Sequence, residues 1–225
     1  MKVIAVIPAY FEGERIAHVI ANVKALVDDV VVVDDGSTDV TSPTAKAAGA
    51  RVFRHAVNRG QGAALRTGTE AALLLGADIV VHLDADGQHD PATIPQLVKE
   101  IEGGTDVVFG SRFMGAEAIG MPLFRKYVLV LARTFNRLVL GISPRVTDPQ
   151  SGYRAMNAKA AKRIDFRQDR MAHCSEILRL VTHSDLKWKE IPTTVRYTED
   201  TLAKGQKATD AFKIVWQLIL GAFQR

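Results

Sequence analysis

Ile79-Val80-Val81-His82-Leu83-Asp84-Ala85-Asp86-Gly87-Gln88-His89-Asp90-Pro91 decides the fold. It opens as a short apolar run rich in Val and Ile, the pattern of a buried parallel strand. It breaks into an acidic turn and closes on Asp90-Pro91, an N-cap followed by proline at the first helical position. The chain therefore passes from strand through polar loop to helix. The same passage recurs on both sides. Further apolar runs lie at Val3–Ile7, Val30–Val33, Val52–Phe53 and Val107–Phe109. Stretches of helical period lie between the strands, at about 14–26, 39–48, 61–75 and 91–102. Strands alternating with helices predict an α/β fold: a mixed, mostly parallel, Rossmann-like sheet flanked by helices. In such sheets ligands bind beyond the C-terminal ends of the strands.

Three strand ends carry acidic or polar clusters: Pro8–Glu14, Asp34–Asp39 and Asp84–Pro91. One such end reads as a helix cap, and Asp39 is expected to be that. Three at one sheet edge read as a site. Asp84 and Asp86 stand two apart at the end of an extended segment, which lets both carboxylates face one side. Hard cations such as Mg²⁺ take carboxylate oxygens and leave positions for phosphates and water. The Gln88 side-chain oxygen is a candidate further ligand. Asn58-Arg59-Gly60-Gln61-Gly62 opens a helix whose N–H groups suit an anion, although a plain loop-to-helix turn fits equally. His55, His82 and Cys174 read as structural. The sequence contains no GxGxxG after the first strand, no GxxxxGK[ST] and no HExxH.

Beyond residue 110 the pattern changes. Helical stretches are expected at 122–140, 157–164, 174–183 and 209–223, an extended run at 188–197 and a polar loop at 198–207. The 225 residues are 47% hydrophobic and 24% charged, an ordinary globular mix that excludes disorder and coiled coil. They are read as one domain, 1–225, with halves 1–112 and 113–225. The net charge of +4 divides into −5 over residues 1–112 and +9 over 113–225. An acidic front half suits metal and sugar hydroxyls; a basic back half suits phosphates or an anionic surface. A single cysteine excludes a disulfide framework. The N-terminus does not read as a signal peptide, and no apolar run reaches the ~18 residues of a membrane span. The expected location is cytoplasmic.

Ile7-Pro8-Ala9-Tyr10-Phe11-Glu12, Val32–Asp39, Asp84-Ala85-Asp86-Gly87-Gln88, Gly110-Ser111-Arg112 and Thr147–Arg154 follow one another in that order. Together they resemble the family 2 inverting glycosyltransferases of the GT-A fold, and within them the dolichyl and polyprenyl phosphate sugar synthases. The resemblance spans roughly residues 2–197. It implies that Pro8, Ala9, Tyr10, Glu12 and Asp35 hold the nucleotide base and ribose. It implies that Asp84, Asp86 and Gln88 hold Mg²⁺ or Mn²⁺ on the donor diphosphate, with Ala85 between them in the donor site and Asp86 catalytic. Arg112, also catalytic, and Arg125 would face the acceptor phosphate, and Arg196 the donor pyrophosphate. After Arg196 the chain departs from the family, which often has Gly and a Ser-Lys pair; Lys204 is displaced by two positions.

The implied reaction moves a hexose from a nucleotide sugar, GDP-mannose or a UDP-hexose, to a polyprenyl or dolichyl phosphate. Such an acceptor carries about −1.5 to −2 charge at pH 7 and needs no general base. A hydroxyl acceptor would need one, with Asp148 or Glu176 as candidates. Transfer to a soluble hydroxyl acceptor is the first alternative. A sugar-nucleotide nucleotidyltransferase is the second, disfavoured because the loop after the first strand is acidic. A non-catalytic nucleotide-binding module is a third. No aromatic-interleaved basic motif points to nucleic acid. Homo-oligomerisation is left open. In 122–140 the strongly polar Arg125, Lys126, Arg133, Asn136 and Arg137 share one third of the helix, and Leu123, Phe124, Tyr127, Val128, Leu131 and Phe135 lie on the rest. The stretch 209–223 is similarly divided. Both patterns suit helices lying in a membrane interface, so peripheral membrane association is expected.

Overall fold

The computed structural model describes residues 1–114, 118–119 and 141–196. The predicted helices 122–140 and 209–223, together with Arg125 and Lys204, lie outside the described residues.

Seven strands form one sheet in the order β3-β2-β1-β4-β7-β5-β8. They are β1 (Val3–Ala9), β2 (Asp29–Asp34), β3 (Arg51–Arg54), β4 (Ile79–His82), β5 (Val107–Ser111), β7 (Arg154–Asn157) and β8 (Trp188–Pro192). A two-stranded parallel pair joins β6 (Ala118–Ile119) to β9 (Val195–Arg196). The main sheet is parallel except for β7, which runs antiparallel between β4 and β5. Strands from both halves of the sequence thus share one sheet.

Period-two alternation divides the strands between two cores. Ile4, Val6, Val31 and Val33 face one layer; Val3, Ala5, Ile7, Val30 and Val32 face the other. Helix α1 (Ile16–Lys24) buries Ile16, Val19, Ile20 and Val23, a stripe at helical spacing, and α4 (Ile94–Glu102) buries Ile94, Leu97 and Ile101 in the same layer. The opposite layer holds α3 (Gln61–Leu74), α5 (Ala158–Arg163) and α6 (His173–Thr182). The buried face of α3 is built from small residues. A methyl group on Gly68 would stand 2.3 Å from Val6 Cγ1, so glycine is what lets α3 lie close on β1.

The predicted first-half elements are all present, with α2 (Thr41–Ala47) and β3 within a residue or two of expectation. The expected helix 91–102 begins as a 3₁₀ turn, Pro91–Thr93, capped by Asp90 Oδ1 accepting from the Ala92 amide at 3.0 Å. Strand β7 was not foreseen. Arg154-Ala155-Met156-Asn157 has no β-branched residue and ends in polar ones, so its β signal is weak. The extended run 188–197 divides at Thr193-Thr194 into β8 and β9.

Candidate active site

The C-terminal ends of β1, β2, β4 and β5 share one edge with the start of β7. Register pairs Ala9 with Asp34, and Arg154 with both His82 and Phe109. From β1 the chain winds outward through β2 and β3, then returns to place β4 on the other side of β1. The edge beside β1 and β4 is therefore a topological switch point, where open α/β sheets leave a crevice.

Asp84 stands in that crevice, two residues beyond β4. Its Oδ1 accepts from Gln61 Nε2 at 2.6 Å, and its Oδ2 lies 3.2 Å from His89 Nε2. Burial raises the pKa of this carboxyl, but His89, His173 and Arg154 outweigh it and bring it below the ordinary value. Asp86 occupies the following turn, where its Oδ1 accepts from the Gln88 amide at 2.9 Å. Burial and the charge of Asp84 push Asp86 upward. Two half-buried carboxylates with this mutual repulsion fit a hard divalent cation. Among the described residues no group of three or more His, Cys, Asp and Glu could hold a metal. A pair of carboxylates would leave most positions around a cation to phosphate oxygens and water, the arrangement Mg²⁺ favours.

The β1–α1 loop forms the neighbouring wall. Pro8 and Ala9 are buried in β1, while Tyr10 and Phe11 are exposed at its end. The Glu12 amide donates to Thr41 Oγ1 at 3.0 Å, and the Glu12 side chain faces Arg15 at 3.8 Å. Asp39 does not sit at the N-cap position of α2, which is Val40; its Oδ1 instead accepts from the Thr41 amide at 3.0 Å. Asp35 is buried and already engaged. It accepts from the Arg59 and Gly60 amides at 3.0 and 2.6 Å, and its Oδ1 lies 2.7 Å from His55 Nδ1. Its visible work is to fasten the start of α3 to the end of β2.

Arg112 follows β5 at the same edge. Its guanidinium makes a bidentate pair with Asp148, Nε to Oδ2 at 2.6 Å and Nη2 to Oδ1 at 2.7 Å. Asp148 is fully buried, and the amides of Thr147 and Asp148 donate to Glu190 at 2.8 and 3.0 Å. The Asp148 carboxylate, a candidate base for a hydroxyl acceptor, is thus engaged by Arg112. Glu176, the other candidate base, accepts from the amides of Arg167 and Gln168 at 2.9 and 2.8 Å. The pairing also changes the picture of Arg112, whose Nε–Nη2 edge is turned to Asp148. Val195 bridges His89, which brings the backbone of Arg196 beside the Asp84 loop.

Several residues quoted in the sequence runs meet at Asp84, a contact their spacing does not reveal. Gln61 opens α3 in the Gly60-Gln61-Gly62 run, and His89 follows the acidic turn; both reach Asp84. Arg154 is fully buried, with Nε donating to the Gly152 carbonyl at 3.3 Å and Nη2 lying 3.8 Å from Cys174 Sγ. Its Nη1 is buried without a hydrogen-bond partner. A methyl on Gly152 would approach both Asp84 oxygens at 3.1–3.2 Å, so this loop lies directly on the Asp84 carboxylate. The buried charge acts on its neighbours. Burial, Arg154 and His173 hold His82 well below the ordinary imidazole range. Burial raises the Cys174 thiol, and His173 and Arg154 outweigh it, bringing it to about 7. His82 and Cys174 lie near this buried cation, whose charge also lowers Asp84.

Residues 4–164 match the description Glycosyl transferase family 2. The chain belongs to this family. It is therefore a glycosyltransferase, and the mixed sheet with its acidic edge is the GT-A fold. A glucosyl-3-phosphoglycerate synthase from Mycobacterium tuberculosis, solved with Mn²⁺, UDP and glucosyl-3-phosphoglycerate, superposes with a TM-score of 0.74 at 24% identity, over 97% of this chain and 77% of that one. Among family relatives, an uncharacterised protein of Methanocaldococcus jannaschii is 39% identical, covering 97% of this chain and 91% of its own length. A UDP-N-acetylglucosamine–dolichyl-phosphate N-acetylglucosaminyltransferase of Methanococcus voltae is 34% identical over 96% of this chain and 94% of that protein.

Proposed function

We propose that this glycosyltransferase moves a hexosyl group from a nucleoside-diphosphate sugar to a polyprenyl phosphate, with inversion at the anomeric carbon. The observation that carries the acceptor class is the state of the two candidate bases. Asp148 is buried in a bidentate pair with Arg112, and Glu176 accepts two backbone amides. A phosphate monoester is ionised at neutral pH and attacks without a base. The Methanococcus voltae relative, named for a dolichyl phosphate acceptor, supports the same reading.

The chain's own residues would act by placement and charge. Pro8, Ala9, Tyr10 and Glu12 border the nucleoside, with Asp35 keeping the β2 end and the start of α3 in register. Asp84, Asp86 and Gln88 would hold the divalent cation. Bound there, Mg²⁺ or Mn²⁺ would neutralise the leaving diphosphate. The family resemblance gives Arg196, in β9, to the donor pyrophosphate. Arg112, set by Asp148, would supply positive charge toward the acceptor, and the family resemblance gives Arg125 the same role. The acceptor oxygen forms the new bond to the anomeric carbon as the bond to the donor diphosphate breaks. The lipid acceptor implies work at a membrane surface, reached through the basic second half.

The test is transfer from a panel of labelled GDP- and UDP-sugars with Mg²⁺ or Mn²⁺. Label should enter the organic phase only when polyprenyl phosphate is supplied. Transfer to soluble hydroxyl acceptors with none to the lipid phosphate would overturn the proposal.

A further inference from the structure

The run Gly152-Tyr153-Arg154 leads into β7 and touches the Asp84–Asp90 segment at three points. A methyl group on Gly152 would stand 3.1 and 3.2 Å from the two Asp84 oxygens, so this backbone passes directly against the carboxylate. The Tyr153 ring packs on His89 with centroids 4.8 Å apart, and His89 in turn reaches Asp84. The Tyr153 hydroxyl donates to the Asp90 carbonyl at 3.2 Å. Tyr153 is buried, so this wall belongs to the core and not to a surface loop.

Arg154 ends the run from within the sheet. Register sets it opposite His82 on β4 and Phe109 on β5, and its side chain is fully buried. Nε donates to the Gly152 carbonyl at 3.3 Å, Nη2 lies 3.8 Å from Cys174 Sγ, and Nη1 has no hydrogen-bond partner. A guanidinium so thinly paired in a core costs stability; an apolar side chain of similar length would not. A residue that works against stability points to a task the fold alone does not set. Its best-placed N–H meets Gly152, the residue lying on Asp84. Groups behind a metal ligand orient it, and their loss typically weakens metal binding by about 10–100-fold.

We propose that Arg154 is a positioning residue for Asp84: its guanidinium anchors the Gly152 backbone, and that backbone fixes the direction in which the Asp84 carboxylate meets a divalent cation. The inference rests on the cation reading above and adds to it a residue that touches neither cation nor substrate. If Arg154 served the fold alone, Arg154→Met would lower Tm and weaken nucleotide binding equally with and without metal. Positioning predicts a Tm at or above wild type and unchanged UDP and GDP affinity in EDTA. The gain in affinity on adding Mn²⁺ should be about tenfold smaller than in wild type. Arg154→Lys keeps the charge but lacks the Nε–H that meets Gly152, so it carries the same prediction should the methionine variant fail to fold. Gly152→Ala presses on the same carboxylate and should cut the Mn²⁺ gain comparably. Combined with Arg154→Met it should cost little more than either change alone, because both act on one contact.

Thermal melts, and calorimetry with UDP and GDP in EDTA and in Mn²⁺, read these quantities without turnover. If wild type gains affinity from Mn²⁺ and the Arg154 variants gain as much, the positioning role is overturned and the cation reading survives. If wild type gains nothing from Mn²⁺, the cation reading falls and the positioning role with it. A lowered Tm with equal loss of affinity in EDTA and in Mn²⁺ would make Arg154 a structural residue and overturn the proposal.

Discussion

Asp84 and Asp86 are two residues apart and do different work. Asp84 is held in place by Gln61, His89 and the closely packed Gly152 loop, so its removal disturbs packing as well as charge. Asp86 accepts only from the amide of its own turn among the described contacts. Asp86→Ala should therefore lower transfer by about 10²–10³-fold, the scale of losing one preorganised electrostatic group, with an unchanged melting temperature. Asp84→Ala should lose activity and stability together. Activity assays beside thermal melts separate the two, and an active Asp86→Ala enzyme, or full turnover in EDTA, would remove the cation from the mechanism. Arg112 and Asp148 make a second contrast. The pair is bidentate and its carboxylate is fully buried. Asp148→Ala would leave a desolvated guanidinium, and breaking a buried pair from one side costs about 3–5 kcal/mol. Urea denaturation should show a loss of that order; a loss within error would mean the pair opens to water in solution.

The start of β5 is tied to its neighbours by a single carboxylate. Asp106 Oδ2 accepts from the Lys187 amide at 2.8 Å, just ahead of β8, and Oδ1 accepts from Asn157 Nδ2 at 2.9 Å, at the end of β7. The Lys187 amide bond is the main cause of its lowered pKa. A carboxyl with a depressed folded pKa stabilises the protein at neutral pH, and that contribution is lost as pH falls through the folded value. Asp106→Ala should cost about 1–2 kcal/mol at pH 7, and the gap from wild type should narrow below about pH 4. Urea midpoints across pH measure it; a gap that stays constant to pH 2 would assign the loss to packing instead. These strands also show where the sequence is readable. β1, β2 and β4 announce themselves as runs of Val and Ile bounded by acidic ends, because burial on both faces leaves no other composition. β7 is hidden: its interior position comes from tertiary pairing to β4 and β5, and its buried Arg154 reads as a surface residue. The Asp84–Asp86 turn was legible from its place after a strand. Gln61, His89 and Gly152 were not, since they meet Asp84 only once α3 and the loop before β7 are packed. The pairing of Arg112 with Asp148, 36 residues apart, was hidden for the same reason.

At the scale of the molecule, charge is divided unevenly. Residues 1–112 carry −5, with the acidic edge among them, and residues 113–225 carry +9. A transferase that meets an anionic lipid phosphate gains from such a division, because the basic half is drawn toward an anionic bilayer and brings the sheet edge with it. Among the described residues no helix is long and apolar enough to cross a membrane. The stretches 122–140 and 209–223 have the sequence pattern of segments that lie in an interface, basic or polar on one side and apolar on the other. Electrostatic attraction of this kind weakens as salt shortens the Debye length, to about 8 Å at physiological ionic strength, whereas apolar insertion does not. The protein is expected to sediment with vesicles containing anionic lipid, most strongly at low salt, and to keep a salt-resistant fraction from the apolar contribution. Phe124→Glu combined with Leu131→Glu should abolish that fraction while leaving nucleotide binding intact, which shows that the variant is folded. Wild type that stays in the supernatant from low to physiological salt would remove the membrane from the proposal and favour a soluble acceptor.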